Sequence, residues 1–241
     1  LLPVLTALAL WKVPEPEKHR SRQDNLLTSA RQMFSNGSFM LLFSGFLMLS
    51  MGTTWASSMF MLFTTFVVEV EGNIQVILLG FYLIQLISLP LWIQVSYRIG
   101  KKQTWLLGAT MYCLASPGYL LLGPGDIVPL CIVLFFYGIS GGNFAAISLS
   151  MKADVIEVAA LRTGHHVAGS YMAVWSLGQK LFQAIAVGMA LPLVAYFGFD
   201  PKGTNGPDEL LALSLNITLI PTLLYGASVF VIWRYPLSAE R

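Results

Sequence analysis

Lys180 is the residue best placed to do chemistry, because it is the only charged side chain between positions 163 and 199. An ammonium near the centre of a membrane-spanning helix costs about 2.5–3.5 kcal/mol on insertion scales. It persists only beside a polar cavity or a partner. Ser176, Gln179, Lys180 and Gln183 recur at i, i+3, i+4 and i+7, which places them along one stripe of a helix with Trp175 beside it. No Asp or Glu lies within any other long apolar run. The expected partner of Lys180 is therefore a ligand, a backbone carbonyl or a carboxylate on a part of the protein outside this sequence. The competing expectation is that Lys180 snorkels to an interface or sits in a silent ion pair.

Two further groups carry polar chemistry at membrane depth. Ser50, Gly52, Thr53, Thr54, Trp55, Ser57 and Ser58 cluster in the middle of one apolar run, where they can loosen a helix and present hydroxyls to a cavity. Trp55 suits stacking on a sugar face or flanking a lipid tail, with helix contact as the plainer role. In GISGGNFAA, Gly138 and Gly142 stand in a GxxxG relation that favours close helix packing, and Asn143 beside them is a candidate for the cavity of Lys180. Enzyme constellations are missing. His165 and His166 are adjacent and so diverge on a helix, and the sequence holds no HExxH, Walker loop, CxxC or GxSxG. The expectation is a protein that is not an enzyme and has no catalytic residue, metal site or resident cofactor.

The elements that must position these residues follow from composition. Of 241 residues, 56% are apolar and 11% charged, which excludes a soluble globular protein and makes lipid the solvent. Runs free of Asp, Glu, Lys and Arg cover 32–68, 72–97, 103–125, 127–151, 163–199 (but for Lys180) and 210–233. Each is long enough to cross the hydrocarbon as a helix, and none has the short alternating pattern of barrel strands. The apolar opening, LLPVLTALALWKV, reads as the end of an earlier helix, so the sequence is expected to be the C-terminal part of a longer protein. Residues 14–38 form the one substantial polar connection, with a short amphipathic helix around Leu26, Leu27, Ala30 and Phe34 and an Asn36-Gly37 turn into the next span. A bundle at 39–235 and a tail at 236–241 complete the chain.

Alternate connections sort the basic residues. Lys12, Lys18, Arg20, Arg22, Arg31, Arg98, Lys101, Lys102, Lys152, Arg162, Arg234 and Arg241 fall on one side, Lys202 alone on the other, and the twelve acidic residues divide evenly. That asymmetry predicts a cytoplasmic C-terminus. A net charge of +2, spread by loop, argues against a nucleic-acid partner. Cys113 and Cys131 lie in apolar runs and are expected to pack, not to form a disulfide or bind metal.

The segment before the Lys180 helix, MKADVIEVAALRTGHHVAGSYMAVWSLGQK, resembles the signature of the glycoside-pentoside-hexuronide:cation symporter family of the major facilitator superfamily. The matching residues are Ala153, Asp154, Glu157, Thr163, Gly164, Gly169 and Lys180, in a stretch taken as a cytoplasmic loop followed by a helix. YRIGKK, from Tyr97 to Lys102, looks like the superfamily's basic loop, and Val158, His165 and His166 depart from the family pattern. The resemblance implies an all-α membrane protein, namely the six-helix C-terminal half of a twelve-helix transporter plus the end of helix six. It implies cation-coupled symport of a sugar or glycoside across the plasma membrane by alternating access. A lysolipid or other amphiphile is the alternative substrate, and a non-transporting membrane scaffold or receptor the rival from another class. By the same resemblance, Lys180 belongs to the substrate and coupling region, with Gln179, Gln183, Ser176, Trp175, Thr53, Thr54, Trp55 and Asn143 around it. Asp154, Glu157, Arg162, Thr163, Gly164, Arg98, Lys101 and Lys102 form a cytoplasmic gate of ion pairs. The coupling cation, Na+ or H+, is bound mainly by the N-terminal six-helix half, which is a partner along with the lipid bilayer.

Overall fold

The computed structural model describes residues 34, 36–70, 72, 74–163 and 168–235, with the side chains of 162 and 163 excepted. The expected end of an earlier helix, the amphipathic segment apart from Phe34, and the tail lie outside the described residues, as do Gly164, His165 and His166.

Six long helical segments account for the described chain. They are α1 (Gly37–Phe66), α2 (Ile74–Ile99), α3 (Lys101–Ala115), α4 (Ile127–Thr163), α5 (Ala168–Tyr196) and α6 (Pro207–Trp233). Among the described residues there is no strand. Helices are the required solution, because hydrocarbon offers no water to a backbone N–H or C=O and an α-helix satisfies both internally. Five of the six are long and apolar enough to span a bilayer; the exception is α3.

Three local features differ from the sequence expectation. The Asn36-Gly37 pair is a helix start, not a turn: Asn36 Oδ1 accepts from Phe39 N–H at 3.3 Å and caps α1. The third span is composite, since α3 passes directly into a 3-10 helix over Ser116–Leu121. Pro117 explains the change, because it has no N–H to donate to the fourth residue back. At the usual rises the two pieces together reach about 34 Å, enough to cross. Finally, the stretch from Lys152 to Thr163 is not a loop. It continues α4 as one helix of 37 residues. Charge marked where the apolar run stops, whereas the backbone has no reason to unwind at that depth.

Helix packing follows a threefold-plus-threefold plan. α1 packs most extensively on α6 and then on α5, while α4 packs on α2 and α3; α3 meets α6, and α1 meets α4. Exchanging α1, α2 and α3 with α4, α5 and α6 maps these main pairings onto one another. Because each unit has an odd number of crossings, the second enters from the opposite side, which is the inverted repeat typical of transporter halves. α2 and α5 occupy equivalent positions in this plan, and both are peripheral. Only 11% of the most apolar stretch of α2 and 17% of that of α5 is buried, against 61% for α1.

Glycines set the closest approaches. A Cβ on Gly138 would meet Phe81 O at 3.1 Å, and one on Gly142 would meet Gln85 O at 2.7 Å and collide with Ser88 Oγ. The GxxxG pair therefore seats α4 directly on the backbone of α2. Gly188 on α5, by contrast, faces open space. Gly142→Val is expected to lower thermal stability of the purified protein by roughly 1–3 kcal/mol through overpacking. Gly188→Ala should leave it unchanged or raise it by up to about 1 kcal/mol. Equal effects of the two changes would contradict this packing.

Candidate functional site

α5 presents two unlike sides. Tyr171, Trp175, Ala186, Ala190 and Val194 are buried on the side that meets the bundle, and Gly178 lets Phe43 of α1 approach without clearance for a side chain. Trp175 sits in an aromatic nest with Phe39, Phe43 and Phe46 at centroid distances of 6.1, 5.3 and 4.6 Å. Lys180 and Ser176 are exposed on the other side, with Gln179 and Gln183 half-buried between. Lys180 lies about 18 Å along the helix from Ala168 and about 24 Å from Tyr196, so it is central. No carboxylate pairs with it among the described residues. The stripe is thus one surface that the six-helix bundle leaves uncovered.

Three residues expected near Lys180 are held elsewhere. Trp175 is 2% exposed and faces the aromatic nest, with Lys152 Nζ 5.3 Å from its ring. Trp55 is equally buried and donates its indole N–H to Asn216 Oδ1 at 2.6 Å, tying α1 to α6. Asn143 packs onto Gly108 and donates to Thr104 O at 2.7 Å, tying α4 to α3. Trp55 and Asn143 are thus satisfied by a neighbouring helix in a dry interior, which removes them from any open cavity, whereas Trp175 is held by aromatic packing, its indole N–H having no hydrogen-bond partner among the described residues. Thr53 and Thr54 are half-buried, and the carbonyls of both accept from hydroxyls one turn on: Ser57 Oγ donates to Thr53 O and Ser58 Oγ to Thr54 O, each at 2.8 Å.

The basic end of the bundle brings part of the expected gate together. Lys101 Nζ donates to both carboxylate oxygens of Asp154, at 2.8 and 2.6 Å, bridging the start of α3 and the extension of α4. Lys102 Nζ donates to the carbonyl of Tyr235 just after α6. Burial, with the Asp154 carboxylate adding to it, pushes the Tyr235 hydroxyl above its ordinary value and keeps it neutral. Arg98 and Glu157 are exposed, the backbone of Arg162 and Thr163 ends α4, and Gly164 lies outside the described residues.

Sequence reasoning missed a tyrosine-walled cavity of about 260 Å³ toward the opposite, acidic end. Thr53, Ser57 and Phe60 of α1, Leu78 and Phe81 of α2, and Tyr112 and Tyr137 of α3 and α4 border it, and no α5 residue does. Behind it, Tyr112 stacks on Tyr225 with centroids 5.1 Å apart and meets Tyr137 edge-on at 5.1 Å. The hydroxyls of Tyr137 and Tyr225 are buried there. The signal that could have found it was the recurrence of tyrosine at 112, 119, 137 and 225 in otherwise apolar runs, but nothing in their spacing joins three different helices. Both cysteines are free, with Cys113 half-buried and Cys131 exposed.

A helical bundle of long apolar spans with polar side chains between them defines a multi-pass membrane protein. A family profile described as MFS/sugar transport protein matches residues 4–239. The chain belongs to that family. It is 26% identical over 223 residues to the "Glucuronide carrier protein homolog" of Escherichia coli, covering 91% of this chain and 48% of the relative. It is 23% identical over 244 residues to the human "Sodium-dependent lysophosphatidylcholine symporter 1", covering 99% of this chain and 44% of the relative. The mouse "Sphingosine-1-phosphate transporter MFSD2B" is 24% identical over 239 residues, 96% of this chain and 48% of that protein. The chain therefore spans about half the length of the curated relatives it matches, and their names describe transporters.

The Lys101–Asp154 pair gives a direct test of the basic end. Its side chains are 41% and 43% exposed, so a double-mutant cycle on thermal stability is expected to return a favourable coupling of about 0.2–1 kcal/mol. The exchange Lys101→Asp with Asp154→Lys should recover most of the loss of either single change. Strict additivity of the two single changes would show that the pair carries no interaction.

Proposed function

We propose that this chain is the C-terminal half of a twelve-helix secondary active transporter that moves a sugar or glycoside together with a cation by alternating access. Membership of the MFS/sugar transport family over residues 4–239 is the observation that carries it. The inverted pairing of the six helices supports it, as does the match to about half of each relative. α2 and α5 leave broad faces uncovered, as a half that meets a second half would.

In the proposed mechanism Lys180, Ser176, Gln179 and Gln183 face the translocation path, and Thr53 and Thr54 of α1 border it. Trp55, Trp175 and Asn143 shape the path from behind by fixing α1, α5 and α4. Lys180 offers an ammonium to solute oxygens in a site of low dielectric, where such a contact is stronger than in water. Sodium or a proton is bound mainly by the other half. The basic end is cytoplasmic, the membrane is the plasma membrane, and Lys101, Lys102, Arg98, Asp154, Glu157 and Arg162 act there as a gate. A half-exposed ion pair suits a gate because its small worth biases a near-balanced equilibrium without locking it.

An amphiphile is the second candidate substrate, favoured by two relatives named for lysophosphatidylcholine and sphingosine-1-phosphate and by the apolar, tyrosine-walled cavity. Uptake of labelled glucuronide and of labelled lysophosphatidylcholine by vesicles containing the full-length protein separates the two. Lys180→Ala is expected to reduce sodium- or proton-driven uptake of the true substrate by roughly 10- to 100-fold, the loss of one charged hydrogen bond, at normal insertion and thermal stability. A variant that misfolds with no separable transport defect would instead support a structural role in a scaffold or receptor.

A further inference from the structure

The end of α6 carries a cation that the bundle does not use. Arg234 directly follows the helix, is exposed, and holds its guanidinium carbon 4.3 Å from the centre of the Phe230 ring. Phe230 is one turn back along α6, about 6 Å closer to the centre of the span. An arginine at the end of a spanning helix ordinarily extends its head outward to water. Here the head is laid back toward the hydrocarbon, on a ring that is itself 53% exposed. None of its N–H donors meets an acceptor among the described residues, and no carboxylate there pairs with it. The C-terminal dipole of α6 does not account for it, because the carbonyl of Tyr235 at that end is met by the Lys102 ammonium.

The surroundings fix the depth and the charge of what would pair with Arg234. Trp233 closes α6 and is 66% exposed, and an indole on the outer surface at the end of an apolar span lies at the level of the lipid headgroups. Lys102, half-buried at the start of α3, uses one N–H on Tyr235 O, next to Arg234 in the chain, and keeps the others unengaged. Asp154, whose carboxylate acts on Tyr235, is already held by Lys101. Glu157, the other acid of the α4 extension, is exposed and pairs with neither cation. Arg234 and Lys102 are therefore a net positive pair at headgroup depth.

We propose that this corner, between the end of α6 and the start of α3, binds the headgroup of an anionic phospholipid. The planar fork of Arg234 takes the non-bridging oxygens of the phosphate, Lys102 adds a second positive charge, and Phe230 and Trp233 pack on the glycerol and the first carbons of the acyl chains. The chemistry recognised is a phosphate diester. Its source is lipid, because the guanidinium is directed along an apolar face where a free phosphate ion would lose its water uncompensated. Net charge favours phosphatidylglycerol over phosphatidylcholine, whose choline cation would meet the same two positive side chains. The site is at the end of the bundle, away from Lys180, and requires only that the chain span a membrane, whichever solute is carried.

The test uses the full-length protein in phosphatidylcholine vesicles doped with a phosphatidylglycerol that bears a diazirine at the start of one acyl chain. The probe is expected to label the peptide holding Phe230 and Trp233. Unlabelled phosphatidylglycerol should compete saturably, and neither additional phosphatidylcholine nor free glycerol phosphate should do so. Arg234→Gln is expected to raise the half-competing fraction of phosphatidylglycerol about 5-fold, the effect of one basic side chain at a membrane surface. Phe230→Leu, which keeps the charge and removes the ring that holds it, should raise it roughly 2- to 5-fold and serves if Arg234→Gln fails to fold. Lys202→Gln, at the opposite end, should change nothing. Equal competition by phosphatidylcholine, competition by glycerol phosphate, or labelling unchanged in both the Arg234 and Phe230 variants would overturn the proposal.

Discussion

Everything in this bundle depends on the absence of water around it. A buried polar group must be satisfied by another helix or remain costly, and the interior obeys this with bonds that also choose helix partners. Trp55 ties α1 to α6 through Asn216, and Asn143 ties α4 to α3 through Thr104. Under the exchange of the two three-helix units these are equivalent contacts. Trp92 donates to Ile139 O between α2 and α4, and Trp105 donates to Ser148 between α3 and α4. Ser228 donates to Gly45 O where α6 meets α1. Close approach at Gly138 and Gly142 makes such bonds geometrically possible, since neither helix could reach its neighbour's backbone past larger side chains.

Against that background, two sets of polar groups stand out. Lys180 is a charge at mid-helix with no carboxylate partner among the described residues, on a surface the bundle does not cover. Tyr137 and Tyr225 bury their hydroxyls in a dry region behind the tyrosine-walled cavity. The two sets are spatially and chemically separate: one polar and charged on α5, one apolar with hydroxyls toward the opposite end from Lys101 and Asp154. At the basic end, the Lys101–Asp154 bridge and the Lys102 contact to Tyr235 join α3, α4 and the end of α6 through bonds that water can compete for.

Much of the architecture was legible in the sequence because lipid leaves so few options. Uncharged runs gave the spans, and the GxxxG pair marked a close helix contact, which the structure places between α4 and α2. Where the reading went astray, the physical cause is specific. Charge at Lys152 and Asp154 ended an apolar run without ending a helix, so α4 is longer than its hydrophobic core. Pro117 altered the helix type within a span that composition treats as uniform. Trp55 and Asn143 suggest a cavity because they are polar at membrane depth, yet polarity at depth is met equally well by a partner helix, and Trp175, beside the Lys180 stripe in sequence, is taken up by an aromatic nest. Stripe periodicity placed Ser176, Gln179, Lys180 and Gln183 together correctly, since all four belong to one helix. The tyrosine-walled cavity could not be read the same way, because it joins residues from segments whose mutual packing no local spacing encodes.

The central claim is that Lys180 faces an aqueous path that opens alternately to the two sides, and cysteine accessibility tests it most directly. In the full-length protein with Cys113 and Cys131 replaced by serine, Lys180→Cys is expected to react with a membrane-impermeant thiol reagent. Reaction should occur from either side of the membrane, with substrate slowing it. Inertness to water-soluble reagents from both sides, together with modification by a lipid-soluble one, would place position 180 against the bilayer and contradict the account.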